Sequence, residues 1–164
     1  MTSPHLITAG NLRAAQVLRR VPFPHMGPAD TRVWQAVLRL GLAKFDRVEY
    51  DVRLGGSGSE LVAGHEQHKP MWESLLQKRV DVVGFRGKET FVVEVKPVAG
   101  HSALGQCIAY RELWVKEKPG AVKPRAMCVC ALVDPDLAPI FQAYGVDVVV
   151  LPAGLADDVL SGRA

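Results

Sequence analysis

Asp81, Glu94 and Lys96 are the residues whose types and spacing could do chemistry in this chain. They lie in Arg79-Val-Asp-Val-Val-Gly-Phe-Arg-Gly-Lys-Glu-Thr-Phe-Val-Val-Glu-Val-Lys96, which reads as two strands joined by a tight turn. Val80, Val82, Val83 and Phe85 make the first strand, and Phe91, Val92, Val93 and Val95 the second. Gly87-Lys88 is the loop, because the first central position of a type II′ turn needs φ > 0. With that loop Arg86 faces Glu89, and counting outward sets Asp81 opposite Glu94. Lys96 then shares the face of Glu94, while Val80, Val82, Val93 and Val95 fill the other. Directly opposed residues hold their Cβ atoms roughly 4.5–5.5 Å apart, and like charges placed so destabilise a sheet. A divalent cation bridging the two acids removes the repulsion, and Mg²⁺ typically takes one or two carboxylates plus water. Lys96 would stand beside that water, to orient it or to stabilise developing negative charge. The competing reading is a solvated cross-strand cluster of Asp, Glu and Lys. Both strands, however, are near-continuous apolar runs, the pattern of a sheet covered on both faces.

The order Asp81, hairpin, Glu94-Val-Lys96 resembles the PD-(D/E)xK nuclease superfamily, and Gln106-Cys-Ile-Ala-Tyr110 is similar to the Gln-x-x-x-Tyr signature of its RecB-type branch. The resemblance implies an α/β, restriction-endonuclease-like αβββαβ core, with a central mixed β-sheet flanked by helices. It implies Mg²⁺-dependent (or Mn²⁺-dependent) phosphodiester hydrolysis with DNA as partner and substrate, in repair, recombination or junction processing. Asp81 and Glu94 would be metal ligands, Lys96 the catalytic lysine, and Gln106 and Tyr110 auxiliary catalytic positions. The architecture covers about residues 30–150, the motifs only 79–110. In one respect the chain departs from the pattern. Many members carry a Glu on the first core helix that joins the metal site, and no Glu occurs between Asp30 and Lys44. Asp30 reads as an N-cap or first-turn acid, and Gln35 is neutral.

Three segments follow from this: an N-terminal helical extension and Pro-rich connector (1–29), the nuclease-like domain (30–152) and a C-terminal tail (153–164). Residues 1–9 read as a loose terminus. Leu12 to Arg20 reads as a short helix capped by Asn11, whose Arg13, Arg19 and Arg20 form a solvated or phosphate-touching face. A helix from about Pro28 to Lys44 carries the stripe Val33, Trp34, Val37, Leu38 and Leu40. Arg47 to Leu54 alternates polar and apolar as a half-buried strand, with Glu49 and Asp51 turned to solvent unless one of them reaches the site. Gly55 to Gln77 reads as a long loop with a helical turn at Met71–Leu76. Lys69, Lys78 and Arg79 would flank the site and grip nucleic-acid phosphates, and Trp72 would pin the loop or stack on a base.

Pro97 should end strand pairing, and Ser102 should cap a helix reaching about Lys118. On it Leu104, Cys107, Ile108 and Val115 form one stripe, and Gln106, Tyr110 and Leu113 another. Gly105 costs that helix about 1 kcal/mol against Ala, which suggests a close approach there. Ala126 to Val133 reads as a central strand. Asp134-Pro135 opens a helix to Tyr144, and Val146 to Leu151 is a last, parallel strand.

A chain of 164 residues, 48% hydrophobic and 23% charged, suits one soluble domain with a substantial core. No apolar run has transmembrane length and no signal peptide is evident, so a cytoplasmic protein without membrane partners is expected. Cys107, Cys128 and Cys130 read as buried small hydrophobes in a reducing compartment. The net charge of +3 permits a polyanion partner without demanding one. Two function classes compete. The first is a metal-dependent deoxyribonuclease, gaining specificity from a homodimer or a protein partner. The alternative is a catalytically weak or inactive module of the same fold, serving as a binding or assembly subunit. A zinc hydrolase built on His65 and His68 is a distant third, because that spacing is one residue short of His-Glu-x-x-His.

Overall fold

The computed structural model describes residues 5–8, 23–56 and 69–163. Its elements run β1 (His5–Thr8), α1 (Pro28–Leu40), β2 (Arg47–Leu54), α2 (Lys69–Leu76), β3 (Lys78–Arg86), β4 (Glu89–Ala99), α3 (His101–Glu117), β5 (Arg125–Val133), α4 (Ala138–Ala143), β6 (Val146–Val150) and α5 (Ala153–Ser161). The expected helix at 12–20 and the polar stretch 65–68 lie outside the described residues. The loose terminus expected at 1–9 is corrected in part, since His5–Thr8 pairs antiparallel with β2.

Six strands form one sheet in the order β1-β2-β3-β4-β5-β6. The first four are antiparallel neighbours, and β5 and β6 continue in parallel. This is a mixed α/β sheet with helices on both faces. One core joins α1 and α5 to the sheet through Val33, Trp34, Val37, Val82, Val93, Val95, Val129 and Val159. The second joins α3 and α4 through Val80, Val83, Val92, Cys107, Tyr110, Cys128 and Phe141. Burial on both sides is why β4 and β5 read as unbroken apolar runs.

The hairpin folds as its sequence specifies. Arg86 pairs with Glu89, and the ladder runs back through Phe85–Thr90 to Val82–Val93. Gly87 takes φ +56° while Lys88 keeps a negative φ, the combination a type II′ turn requires.

Past Val82 the two strands part, and Lys78 to Asp81 find no main-chain partner in β4. The cause lies one strand further out, where Asp51 takes φ +54° inside β2. Such a residue turns a strand over, as a bulge does. Val48 and Tyr50 accordingly pack in the α1 core, whereas Val52 and Leu54 pack in the α3 core. β3 follows its neighbour, so Val80 joins the α3 core and Val82 the α1 core. The expectation that Val80 shares a face with Val82, Val93 and Val95 is therefore corrected, as is the unbroken alternation of β2.

Element ends depart from expectation for local reasons. α1 stops at Leu40, not Lys44, because Gly41 adopts φ +63° and its N–H and that of Leu42 return to Leu38 and Val37. Leu40 is consequently outside the core, at 49% exposure. Gly100, not Ser102, precedes α3. The Asp134-Pro135 segment forms a turn before the short α4, with Asp134 accepting from the backbone of Asp136. The expectation that Pro97 ends strand pairing is corrected: β4 continues beside β5 to Ala99, and its pairing with β3 has already stopped at Val93. The 153–164 tail contributes α5, whose Val159 carbonyl accepts from Arg32 on α1.

Candidate functional site

The parted strands form a fork, and the carboxylates sit in it. Asp81 Oδ2 accepts the Val95 N–H at 2.9 Å, so a side chain takes the place of the missing ladder carbonyl. Glu94 enters from β4 and is 1% exposed, the sole buried charged residue among those described. Neither of its oxygens has a hydrogen-bond partner. Lys96 Nζ approaches Glu94 Oε1 to 2.7 Å as a close ion pair. The structure thus brings Asp81, Glu94 and Lys96 together.

Their ionisation reflects that crowding. Burial pushes the Glu94 carboxyl up to about 7, with the Asp81 charge adding to it and Lys96 opposing. Burial likewise lifts Asp81 to about 6, against the Val95 hydrogen bond and Lys96. Burial works against the Lys96 ammonium, but Glu94, Asp81 and Asp30 outweigh it and hold its pKa above the ordinary value. Asp30 is a first-turn acid of α1 that accepts the Gly27 N–H at 3.2 Å. Its charge nevertheless raises both site carboxyls.

From the other side α3 brings Gln106 and Tyr110. Gln106 Nε2 donates to the Tyr110 hydroxyl at 2.9 Å, and Ser102 Oγ donates to Gln106 Oε1. Burial and the nearby Glu94 charge raise the Tyr110 pKa, so the phenol stays protonated. Tyr110 belongs to the buried stripe Ala103, Cys107, Tyr110, Trp114, and not to a separate one with Gln106 and Leu113; Val115 is exposed. The two predicted stripes are corrected accordingly. Gly105 faces open space, with no atom of the described residues within 4 Å of an added Cβ, so no close approach among them explains it.

Of the expected phosphate-gripping residues, Lys78 is exposed and donates to the Leu76 carbonyl. Arg79 is half-buried beside Asp51 and His25. Lys69 opens α2; its side chain, like that of Trp72, lies outside the described residues. Glu49 stays on the solvent side, paired with Arg47 at 3.3 Å. The three cysteines are free and buried. Cys128 and Cys130 stand beside Glu94 and Lys96 in the parallel ladder. Contact with Cys107 raises the Cys128 pKa, and contact with Cys128 raises that of Cys130, so both stay neutral thiols.

Among the described residues, no group of three or more His, Cys, Asp or Glu side chains gathers to hold a metal. A Mg²⁺ site needs no such cage, because one or two carboxylates and water suffice. The buried Glu94 oxygens and Asp81 are crowded hard donors served by one ammonium, Lys96, and a donor set with more negative than positive charge fits a small dication. No helix among the described residues is long and apolar enough to cross a membrane.

Sequence reasoning passed over Asp51 as a solvent-facing strand residue and missed His25. The signal for Asp51 was its residue type, since Asp is one of the few that tolerate positive φ. The chain matches no protein-family model, no curated protein and no solved structure.

Proposed function

We propose that this protein is a metal-dependent deoxyribonuclease of the PD-(D/E)xK type that hydrolyses phosphodiester bonds. The observation that carries the reading is Glu94: a carboxylate buried to 1% exposure, with no hydrogen bond to either oxygen, crowded by Asp81 and Lys96. A protein gains nothing in stability from that arrangement alone, because an under-compensated buried charge is costly. Perturbed acids gathered at one point are characteristic of functional sites.

Asp81 and Glu94 would hold Mg²⁺ or Mn²⁺. When bound, the ion supplies charge neutralisation and a water made nucleophilic near neutral pH. The Val95 N–H fixes the Asp81 carboxylate, so the donor set is positioned before substrate arrives. Lys96, held charged by its acidic neighbours, stabilises negative charge developing on the phosphoryl oxygens. Tyr110, kept neutral and oriented by Gln106, lines the wall near Glu94. DNA is the substrate the family resemblance implies, and Lys78 and Arg79 lead to the fork along β3. Three free thiols suit a reducing, cytoplasmic setting.

Incubating labelled single-stranded, duplex and branched DNA with Mg²⁺ or Mn²⁺ tests this. The wild type should cleave at least one substrate, Glu94→Gln should not, and Lys96→Ala should cleave on the order of 10²–10³-fold more slowly. Equal cleavage by all three rejects the mechanism.

The second reading, a binding or assembly module without catalysis, is favoured by one observation: among the described residues no third acid joins Asp81 and Glu94 in a group able to hold a metal, although the Asp30 charge reaches both. Titration calorimetry with Mg²⁺ and Mn²⁺ separates the two, because the module predicts no heat that depends on Glu94.

A further inference from the structure

Two non-glycine residues among those described have positive φ, His25 at +61° and Asp51 at +54°. They touch each other: His25 Nε2 lies 3.0 Å from Asp51 Oδ2. Left-handed backbone costs a non-glycine residue about 1–3 kcal/mol and concentrates where function requires it. An ordinary surface ion pair needs no such backbone, since exposed pairs form freely and contribute little. Here one unusual conformation turns β2 over, and the other brings an imidazole onto the same carboxylate.

The remainder of the cluster is Arg79. Its NH1 lies 3.8 Å from Asp51 Oδ1 and contacts the His25 ring. Asp51 Oδ1 is buried without a hydrogen bond, so that carboxylate is a fixed base beneath two nitrogen-bearing side chains. Those two are the accessible part, with His25 47% and Arg79 35% exposed against 19% for Asp51. Nε and NH2 of Arg79 donate to nothing in the described residues. The cluster adjoins the fork. Asp51 falls between the paired positions Tyr50–Val82 and Val52–Val80, directly across from Asp81. Arg79 lies two residues before Asp81 on β3, roughly 7 Å at strand rise.

We infer that Arg79, held in place by His25 and Asp51, forms a subsite for a backbone phosphate of the nucleic acid, next to the phosphate that is cleaved. The inference rests on the nuclease reading of the fork and adds the contact that sets where along a strand the substrate lies. A planar guanidinium with free N–H groups suits a phosphate oxyanion, and a charge-assisted contact is stronger than a neutral one. Asp51 and His25 are positioning residues: they hold the guanidinium and touch no substrate.

The test uses full-length protein, Mg²⁺ and a cleaved oligonucleotide in which single phosphates near the cut are replaced, one at a time, by neutral methylphosphonate. In the wild type, neutralising one phosphate beside the cleaved one should raise KM about tenfold, the effect of one charge-assisted hydrogen bond. Arg79→Ala and His25→Ala should each raise KM on unmodified DNA by a similar factor with kcat within a fewfold. They should also lose the penalty at that single position while keeping it elsewhere. Asp51→Asn, which retains a residue tolerant of positive φ, should show the same selective loss. A merely structural role cannot erase sensitivity at one phosphate alone. If the variants keep the wild-type profile at every position while Glu94→Gln abolishes cleavage, the subsite is wrong and the nuclease reading stands. If the wild type cleaves no DNA, both fall.

Discussion

Replacing Glu94 by Gln should make the metal-free protein more stable at pH 8 and leave it little changed at pH 5. Burial first, then Asp81, lifts the Glu94 carboxyl from its ordinary value of 4.5 to about 7. An acid that holds its proton more tightly when folded adds stability that is complete below the unfolded value and disappears as pH rises through the folded one. The window is therefore pH 4.5 to 7. The rise from 4.5 to about 7, at 1.36 kcal/mol per pH unit, amounts to roughly 3 kcal/mol. Glu94 is almost wholly buried, so solvent screening takes little of this away. For a chain of this length that corresponds to a melting difference of roughly 6–12 °C. Thermal melts from pH 4 to 9 in chelator should show the wild type losing stability across the window and Glu94→Gln losing less. Mg²⁺ should restore the wild type at pH 8 and leave Glu94→Gln unmoved, since a ligand stabilises only the form that binds it. A Glu94→Gln protein less stable than wild type at pH 8, with both responding alike to Mg²⁺, would refute the reasoning.

Lys96→Ala should lower kcat on the order of 10²–10³-fold with KM little altered, in steady-state cleavage assays, because charge stabilisation is needed chiefly in the transition state. Gly84→Ala should destabilise the domain by about 1–3 kcal/mol in urea melts: its Cβ would stand 2.6 Å from the Phe45 ring, inside a packed core. Gly105→Ala should do the reverse, stabilising by about 1 kcal/mol, since the added methyl meets no atom of the described residues within 4 Å and the helix gains propensity.

The hairpin could be read from sequence because two independent signals agree there. Gly87 fixes the turn, the turn fixes the register, and the valine pattern permits no slip. That was enough to set Asp81, Glu94 and Lys96 side by side. The fork that gives them space could not be read in the same way. It arises from Asp51, and a single left-handed residue leaves no trace in a two-residue hydrophobic period; the sequence of β2 alternates straight through it. The valine packing of Val80 was misjudged for that reason alone. Tyr110 was set with Gln106 and Leu113 on a stripe apart from Cys107, because helical spacing alone stacks it on Gln106. In the fold its ring belongs to the α3 core, and the hydroxyl is satisfied by Gln106. Asp30 was weighed as an N-cap or first-turn acid and is the latter, but its field at the site depends on how α1 lies across the sheet. His25 lies far from the hairpin in sequence, and only tertiary packing brings it to Asp51.

Where β3 leaves β4, an unpaired strand margin faces the acids. The Val95 N–H points that way, toward Asp81, and alternation aims the backbone nitrogen of Pro97 in the same direction. That nitrogen carries no hydrogen. A passing extended segment, from this chain or another, finds one donor fewer with which to zip the gap closed. Proline at this place acts as a doorstop: it keeps the cleft from being annealed into continuous sheet, and it leaves solvent and a long flexible polymer free to enter.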